Sequence, residues 1–133
     1  MKLFSIEEAN ETLRTVRPLA ERLVAVAGEI RACRAEAASL AARIAGNGAG
    51  ASYAVALRET ERRAQELARE VGALVAEIQN LGAQVKDVEL GLVDFPCRRA
   101  GETVLLCWKV GEDAIGFWHG LEEGYGGRKP LPL

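Results

Sequence analysis

Asp94, His119 and Arg128 are the side chains of this 133-residue chain whose presence packing explains least. Asp94 sits in an apolar run, Leu92-Val93-Asp94-Phe95-Pro96, where a carboxylate needs a partner. His119, the single histidine, could ligate a metal, act as a general base or hold a structural hydrogen bond. Arg128 can clamp a carboxylate or another anion through two parallel N–H groups. All three lie in the last third of the chain. Both tryptophans (Trp108, Trp118), Cys97 and Cys107 lie there too, between Phe95 and His119.

Each candidate has a structural reading beside the functional one. A lone histidine without HxH, HExxH or CxxC spacing is a weak metal signal. Asp94 and His119 are the metal candidates; Asp87, Glu112, Glu122, Glu123 and Cys107 are nearby donors. The structural alternative pairs Asp94 with Arg128 or Lys86 and hydrogen-bonds His119 to a carboxylate or carbonyl. Glu112-Asp113 reads as turn chemistry. Cys97 and Cys107 read as reduced, buried thiols in preference to a redox pair. Gly124-Tyr-Gly-Gly-Arg128 could cradle an anion in backbone N–H groups, without the spacing of a phosphate-binding loop. Trp108, Trp118 and Tyr125 either stack on a ligand or fill the space between sheet and helices. The candidate ligand-binding set is Asp94, Trp108, Glu112, Trp118, His119, Tyr125 and Arg128. No catalytic residue is assignable, and a metal ion is the one cofactor weighed.

A scaffold has to position these groups. Ser5 and Glu8 form a capping-box pattern, with Phe4 at the staple position, so a helix should start near Ile6. From Leu19 the apolar positions Leu23, Val26, Ile30, Cys33, Ala37, Leu40 and Ile44 alternate steps of four and three, a heptad seam. Gly46, Asn47-Gly48 and Gly50 should end it. A second seam runs Tyr53, Leu57, Thr60, Ala64, Leu67, Val71, Leu74, Ile78, Leu81, Val85, with Ser52 as a cap. Cys33 reads as an inert seam thiol. Two such helices joined by a short loop predict an antiparallel coiled-coil hairpin, kinked or briefly broken near Pro18. Ala20, Ala27, Ala41, Ala54, Ala68 and Val75 widen the apolar stripe. That predicts either a homodimer through the hairpin or coverage by the chain's own C-terminal part.

After Gly82 the pattern becomes β-like. Leu90–Phe95, ending at Pro96, then Thr103–Val110 and Ile115–His119 predict a three-stranded antiparallel meander with one face on the helices. Ile115, Phe117 and His119 would share a face, with Trp118 on the other. Glycines and prolines predict an irregular tail. The fold class is α+β in a single domain, 1–133, with a helical hairpin at 1–85 and a β-module with its tail at 86–133.

Composition bounds the rest. With 49% hydrophobic and 27% charged residues the chain is globular, and a formal net charge of -2 supplies no global basic field. Nucleic acid is not expected as a partner; Arg98, Arg99, Arg128 and Lys129 are the local cations weighed in its support. Acidic residues follow where a signal peptide needs an apolar region, and no apolar run approaches a membrane span. Three cysteines without CxxC fit a reducing cytoplasm.

Val85-Lys-Asp87, Gly91-Leu-Val-Asp-Phe95, Leu106-Cys-Trp108, Gly111-Glu112, Trp118-His119 and Gly127-Arg128, in that order, resemble a family of uncharacterised small bacterial proteins, a domain of unknown function. The resemblance spans essentially the whole chain and implies no activity. Three readings remain. The first is a non-enzymatic, dimeric module binding an unidentified protein or small ligand at its sheet. The second is a metal-binding protein or small metal-dependent enzyme using Asp94 and His119. The third is weak nucleic-acid binding.

Overall fold

The computed structural model describes residues 1–47 and 50–133. Two long helices, α1 (Ile6–Asn47) and α2 (Ala51–Asn80), precede an antiparallel sheet. Its strands β1 (Gln84–Asp87), β2 (Leu92–Arg99), β3 (Glu102–Lys109), β4 (Phe117–Gly120) and β5 (Lys129–Pro130) lie side by side in chain order. The class is α+β, as expected, but the sheet has five strands, not three. The turn expected at Gly46–Gly50 lies partly outside the described residues. Among those described, no helix is long and apolar enough to cross a membrane.

The chain divides into two compact units, Met1–Val24 with Leu74–Leu133, and Ala25–Ala73. Among its described residues the second is helical apart from Gly50. Val26, Ile30 and Leu67 form its buried cluster, with Cys33 and Val71 packed against it. Glu29 pairs with Arg63 at 3.2 Å, and Arg43 lies over the Tyr53 ring. Both pairs are exposed or half-exposed, so their contribution is a few tenths of a kcal/mol, and apolar burial dominates.

The first unit holds the sheet. Its N-terminal helix start forms as the capping pattern requires: the Ser5 N–H donates to Glu8 Oε1 at 2.9 Å, and the Glu8 N–H to Ser5 Oγ at 3.0 Å. Phe4 is buried, edge-on to Phe95 at 5.3 Å. Ala9, Leu13, Val16, Ala20 and Leu23 are buried at the spacing of one helix face. α1 runs unbroken through Pro18. α2 starts at Ala51, which places Ser52 inside the helix instead of at its cap.

Further boundaries differ from the sequence expectation, and physical reasons account for them. The second heptad pattern continues to Val85, but α2 stops at Asn80. Gly82, at φ 97°, turns the chain there, and Val85 becomes a strand residue opposite Val93. β2 does not end at Pro96 but continues to Arg99. Pro96 is tolerated because β1 pairs only with Leu92–Asp94. Beyond Asp94 that side of β2 carries no strand, and the Phe4 N–H donates to the Pro96 carbonyl at 2.7 Å. The missing N–H therefore faces away from β3, where no ladder bond is lost. In the tail, Tyr125–Gly127 forms a 3-10 turn and Lys129–Pro130 pairs with Phe117 and Trp118. Two residues with a proline carry too little pattern to be read as a strand, yet an edge accepts them.

The central pair, β2 and β3, is joined by Ala100 and Gly101, both at positive φ (50° and 84°). Two such residues suit the tight hairpin turn that matches strand twist. The turn sets the register: Asp94 opposes Cys107, and Phe95 opposes Leu106. Leu92–Cys97 and Val104–Trp108 are buried without interruption. Both faces of these strands are thus covered, where one covered face was expected.

Gly91 precedes β2 at φ 64°, and a Cβ there would lie 2.4 Å from Val110 Cγ2 and 2.9 Å from Val24 Cγ2. Gly91→Ala should cost about 2–4 kcal/mol, adding overpacking to backbone strain. Gly101→Ala, where nothing lies within 4 Å of the new atom, should cost only about 1–2 kcal/mol. Urea denaturation of the two variants tests this; equal losses would mean that the close packing at Gly91 contributes nothing.

Candidate functional site

Antiparallel pairing places directly opposed residues on one face. Asp94 opposes Cys107, Cys107 opposes Phe117, and Leu105 opposes His119. Asp94, Cys107, Phe117 and His119 therefore share a face, and Trp108 and Trp118 lie on the other. The predicted division of Phe117 and His119 from Trp118 is as observed. Ile115 lies outside the strand; its N–H donates to Asn10 Oδ1 at 3.1 Å.

The shared face carries a buried polar cluster. Asp94 is 1% exposed and His119 2%, and Cys107 is fully buried. His119 Nε2 lies 3.1 Å from Asp94 Oδ2, and Nδ1 lies 2.8 Å from the Gly120 carbonyl. A carbonyl only accepts, so Nδ1 carries a hydrogen. The imidazole is thereby fixed in orientation, with Nε2 turned to the carboxylate. Donor atoms of Asp94, Cys107 and His119 all lie within 4.8 Å of one another. Asp94 Oδ1 is buried and has no partner at hydrogen-bond geometry, although the Cys107 thiol lies close enough to the carboxylate to favour its charged form. An unsatisfied buried acceptor costs about 1–3 kcal/mol.

Burial pushes the Asp94 carboxyl above its usual range; His119, the neighbouring Cys107 thiol and Lys86 oppose the shift without cancelling it. Burial likewise pushes the Cys107 thiol up to about 11, despite a favourable contact from Arg128. Cys97 opposes Val104, three positions from Cys107 along β2–β3, so the two thiols face opposite sides and form no redox pair.

Arg128 does not pair with Asp94. Its guanidinium makes a bidentate pair with Glu112, with Nη1 3.3 Å from Oε1 and Nη2 on Oε2. Nη1 also reaches Cys107 Sγ at 3.8 Å. The guanidinium lies over the Phe117 ring at 3.9 Å and the Tyr125 ring at 4.5 Å. Glu112 does more than shape a turn: its Oε1 also accepts the Lys109 N–H at 3.0 Å. Burial alone would raise the Glu112 carboxyl, but Arg128 and the Lys109 N–H outweigh it and hold the acid below its ordinary range. At Gly124–Arg128, weighed above as an anion cradle, two of the backbone N–H groups are already engaged. Gly127 and Arg128 N–H groups close the 3-10 turn onto Gly124 and Tyr125 carbonyls.

Of the seven candidates, Asp94 and His119 touch directly. Glu112, Tyr125 and Arg128 form an adjoining cluster linked to them through Cys107. Trp108 belongs to the core: it is fully buried, its Nε1–H donates to the Glu112 carbonyl at 2.9 Å, and Arg17 lies over its ring. Trp118 lines a separate, open concavity of about 580 Å³ with Arg99, Glu102, Leu121 and Glu123. Arg99 and Lys129 both lie over its ring, and Lys129 pairs with Glu123 at 2.6 Å. The residue omitted from the candidate set is Cys107. The two-residue turn at Ala100-Gly101 was the signal that could have placed it opposite Asp94.

A family model described as an uncharacterized conserved protein, DUF2203, matches residues 2–131. The chain belongs to this family. No curated protein and no solved structure matches it. The DUF2203 match spans both helices and all five strands, so the buried cluster lies inside the family's extent.

Glu112 supplies a pH test. An acid held below its ordinary range contributes stability above that range, and the contribution is lost as pH falls through the folded value. Glu112→Gln should cost about 1–2 kcal/mol at neutral pH. The gap between wild type and variant should shrink below roughly pH 4. Thermal unfolding from pH 3 to 7 measures it; a gap independent of pH would mean that the Arg128 pair does not act through charge.

Proposed function

We propose that this DUF2203 protein is a non-enzymatic, cytoplasmic binding module. Its helices form a coiled-coil hairpin, bent at Pro18, that pairs with a second copy, and its sheet carries the binding site at Asp94, Cys107, His119 and Arg128. The observation that carries the reading is the buried Asp94 carboxylate with one oxygen left without a partner at hydrogen-bond geometry. Packing alone has no use for it, since an apolar residue of similar volume would avoid the desolvation cost. Burial also argues against catalysis on a diffusible substrate. The cluster is nearly closed to solvent. Arg128 and Lys129 are engaged by Glu112 and Glu123, which leaves Arg98 and Arg99 as the basic contribution to a nucleic-acid reading.

The dimer half of the proposal rests on the apolar stripe beside the seams. Ala41 and Ala68 are exposed on the single chain. Light scattering should give twice the chain mass, and Ala41→Glu with Ala68→Glu should halve it while circular dichroism stays helical. A wild-type mass of one chain at high micromolar concentration overturns dimerisation. The binding half is tested by native mass spectrometry of untagged protein. An adduct should be retained in wild type and lost in Asp94→Asn. A wild type with no added mass that remains unaltered by any supplied ion overturns it.

A further inference from the structure

Three donors of different chemistry, an imidazole, a thiol and a carboxylate, come from three neighbouring strands to one buried point. We infer that Asp94, Cys107 and His119 bind a divalent transition-metal ion of the zinc type inside the sheet. This rests on the reading of the cluster as a binding site and names its ligand.

Four features of the site support the assignment. The donors lie within 4.8 Å of one another. Metal–ligand bonds of about 2.0–2.3 Å place tetrahedral donors about 3.3–3.8 Å apart, within about an ångström of adjustment. His119 is held as metal-binding histidines are held: Nδ1–H donates to a backbone carbonyl, and Nε2 points to the other donors. Asp94 Oδ1 is buried with no partner at hydrogen-bond geometry, and a cation is the missing one. The charges also balance. A divalent ion would neutralise one carboxylate and one thiolate, while Arg128 and Glu112 neutralise each other beside them.

The donor set also selects the kind of ion. Sulfur and imidazole favour zinc, cobalt, nickel or copper over calcium or magnesium, which take oxygen ligands. Three protein ligands leave a fourth position for a water. Binding replaces the thiol hydrogen and the hydrogen shared between His119 and Asp94; both leave as protons, and no oxidant or reductant is required.

Cobalt(II) is the probe, because its spectrum reports thiolate ligation directly. Untagged protein, prepared without chelator, is titrated in the folded state and also refolded from guanidinium with the metal present, since the site is closed. One cobalt per chain is expected, with a thiolate-to-cobalt charge-transfer band in the near ultraviolet that zinc abolishes. The Cys33→Ser/Cys97→Ser variant, which keeps Cys107 as its only thiol, should retain the band. Cys107→Ser should remove it, and His119→Gln should weaken binding at least tenfold, with circular dichroism establishing that each is folded. Should Cys107→Ser fail to fold, the Cys33/Cys97 variant alone decides. No band by either route, a band lost in that variant, or unchanged binding in folded His119→Gln overturns the metal site. An organic adduct in the native mass spectrum, lost in Asp94→Asn while cobalt and zinc fail to bind, overturns the metal and leaves the binding reading standing. Absence of any adduct and of metal overturns both.

Discussion

The two-residue turn at Ala100-Gly101 sets the geometry on which the rest of the sheet depends. It fixes β2 against β3, and both strands are buried on both faces. A slip of one residue would move every side chain to the opposite face. Trp108 would leave the side that meets Phe4 and Arg17, and Asp94 would be driven into an apolar environment without His119. Register is therefore specified by apolar and polar residues together. The apolar set demands the face towards the helix start, and the polar set can be satisfied on the other face alone.

From that register the polar face builds outward. Asp94 opposes Cys107, and β4 brings His119 diagonally alongside. β5 then directs Arg128 back over Phe117, where Glu112 from the turn after β3 holds it. The edge strand is only two residues long, and its own ladder could not hold the tail alone. The bidentate pair and two ring contacts at Arg128 add to it, and planar guanidinium chemistry supports both at once. The tail is thus held by side chains as well as by its backbone.

How much of this was legible in the sequence depends on whether the signal was local. Ser5 and Glu8 marked the start of α1 because a capping box is complete within four residues. The apolar stripe of each helix was legible in part, because its periodicity repeats many times: Leu23, Val26, Ile30, Leu40, Leu67, Leu74 and Ile78 are buried, while Leu19, Cys33, Ala37, Leu57 and Val71 are half-buried. The end of α2 was misread because Leu81 and Val85 happen to continue the heptad spacing. Only the positive φ of Gly82 breaks it. β1 and β5 are not legible because four and two residues hold too little alternation, and Pro96 reads as a stop because its tolerance depends on which side of β2 lacks a neighbour.

The site divides in the same way. Asp94, His119 and Arg128 stood out from their types and settings alone, since each is expensive to bury or hard to explain by packing. Their partners stood out only in part. The sequence offers Arg128 or Lys86 to Asp94 and a carboxylate or carbonyl to His119; the structure pairs His119 with the Asp94 carboxylate and the Gly120 carbonyl, and Arg128 with Glu112. Residue type determined which groups need compensation, because desolvation cost belongs to the side chain. Tertiary structure decided which group supplies it, because strand register and the path of the tail bring together residues far apart in the chain. Cys107 was one of several nearby donors in the sequence, and the register alone set it against the Asp94 carboxylate.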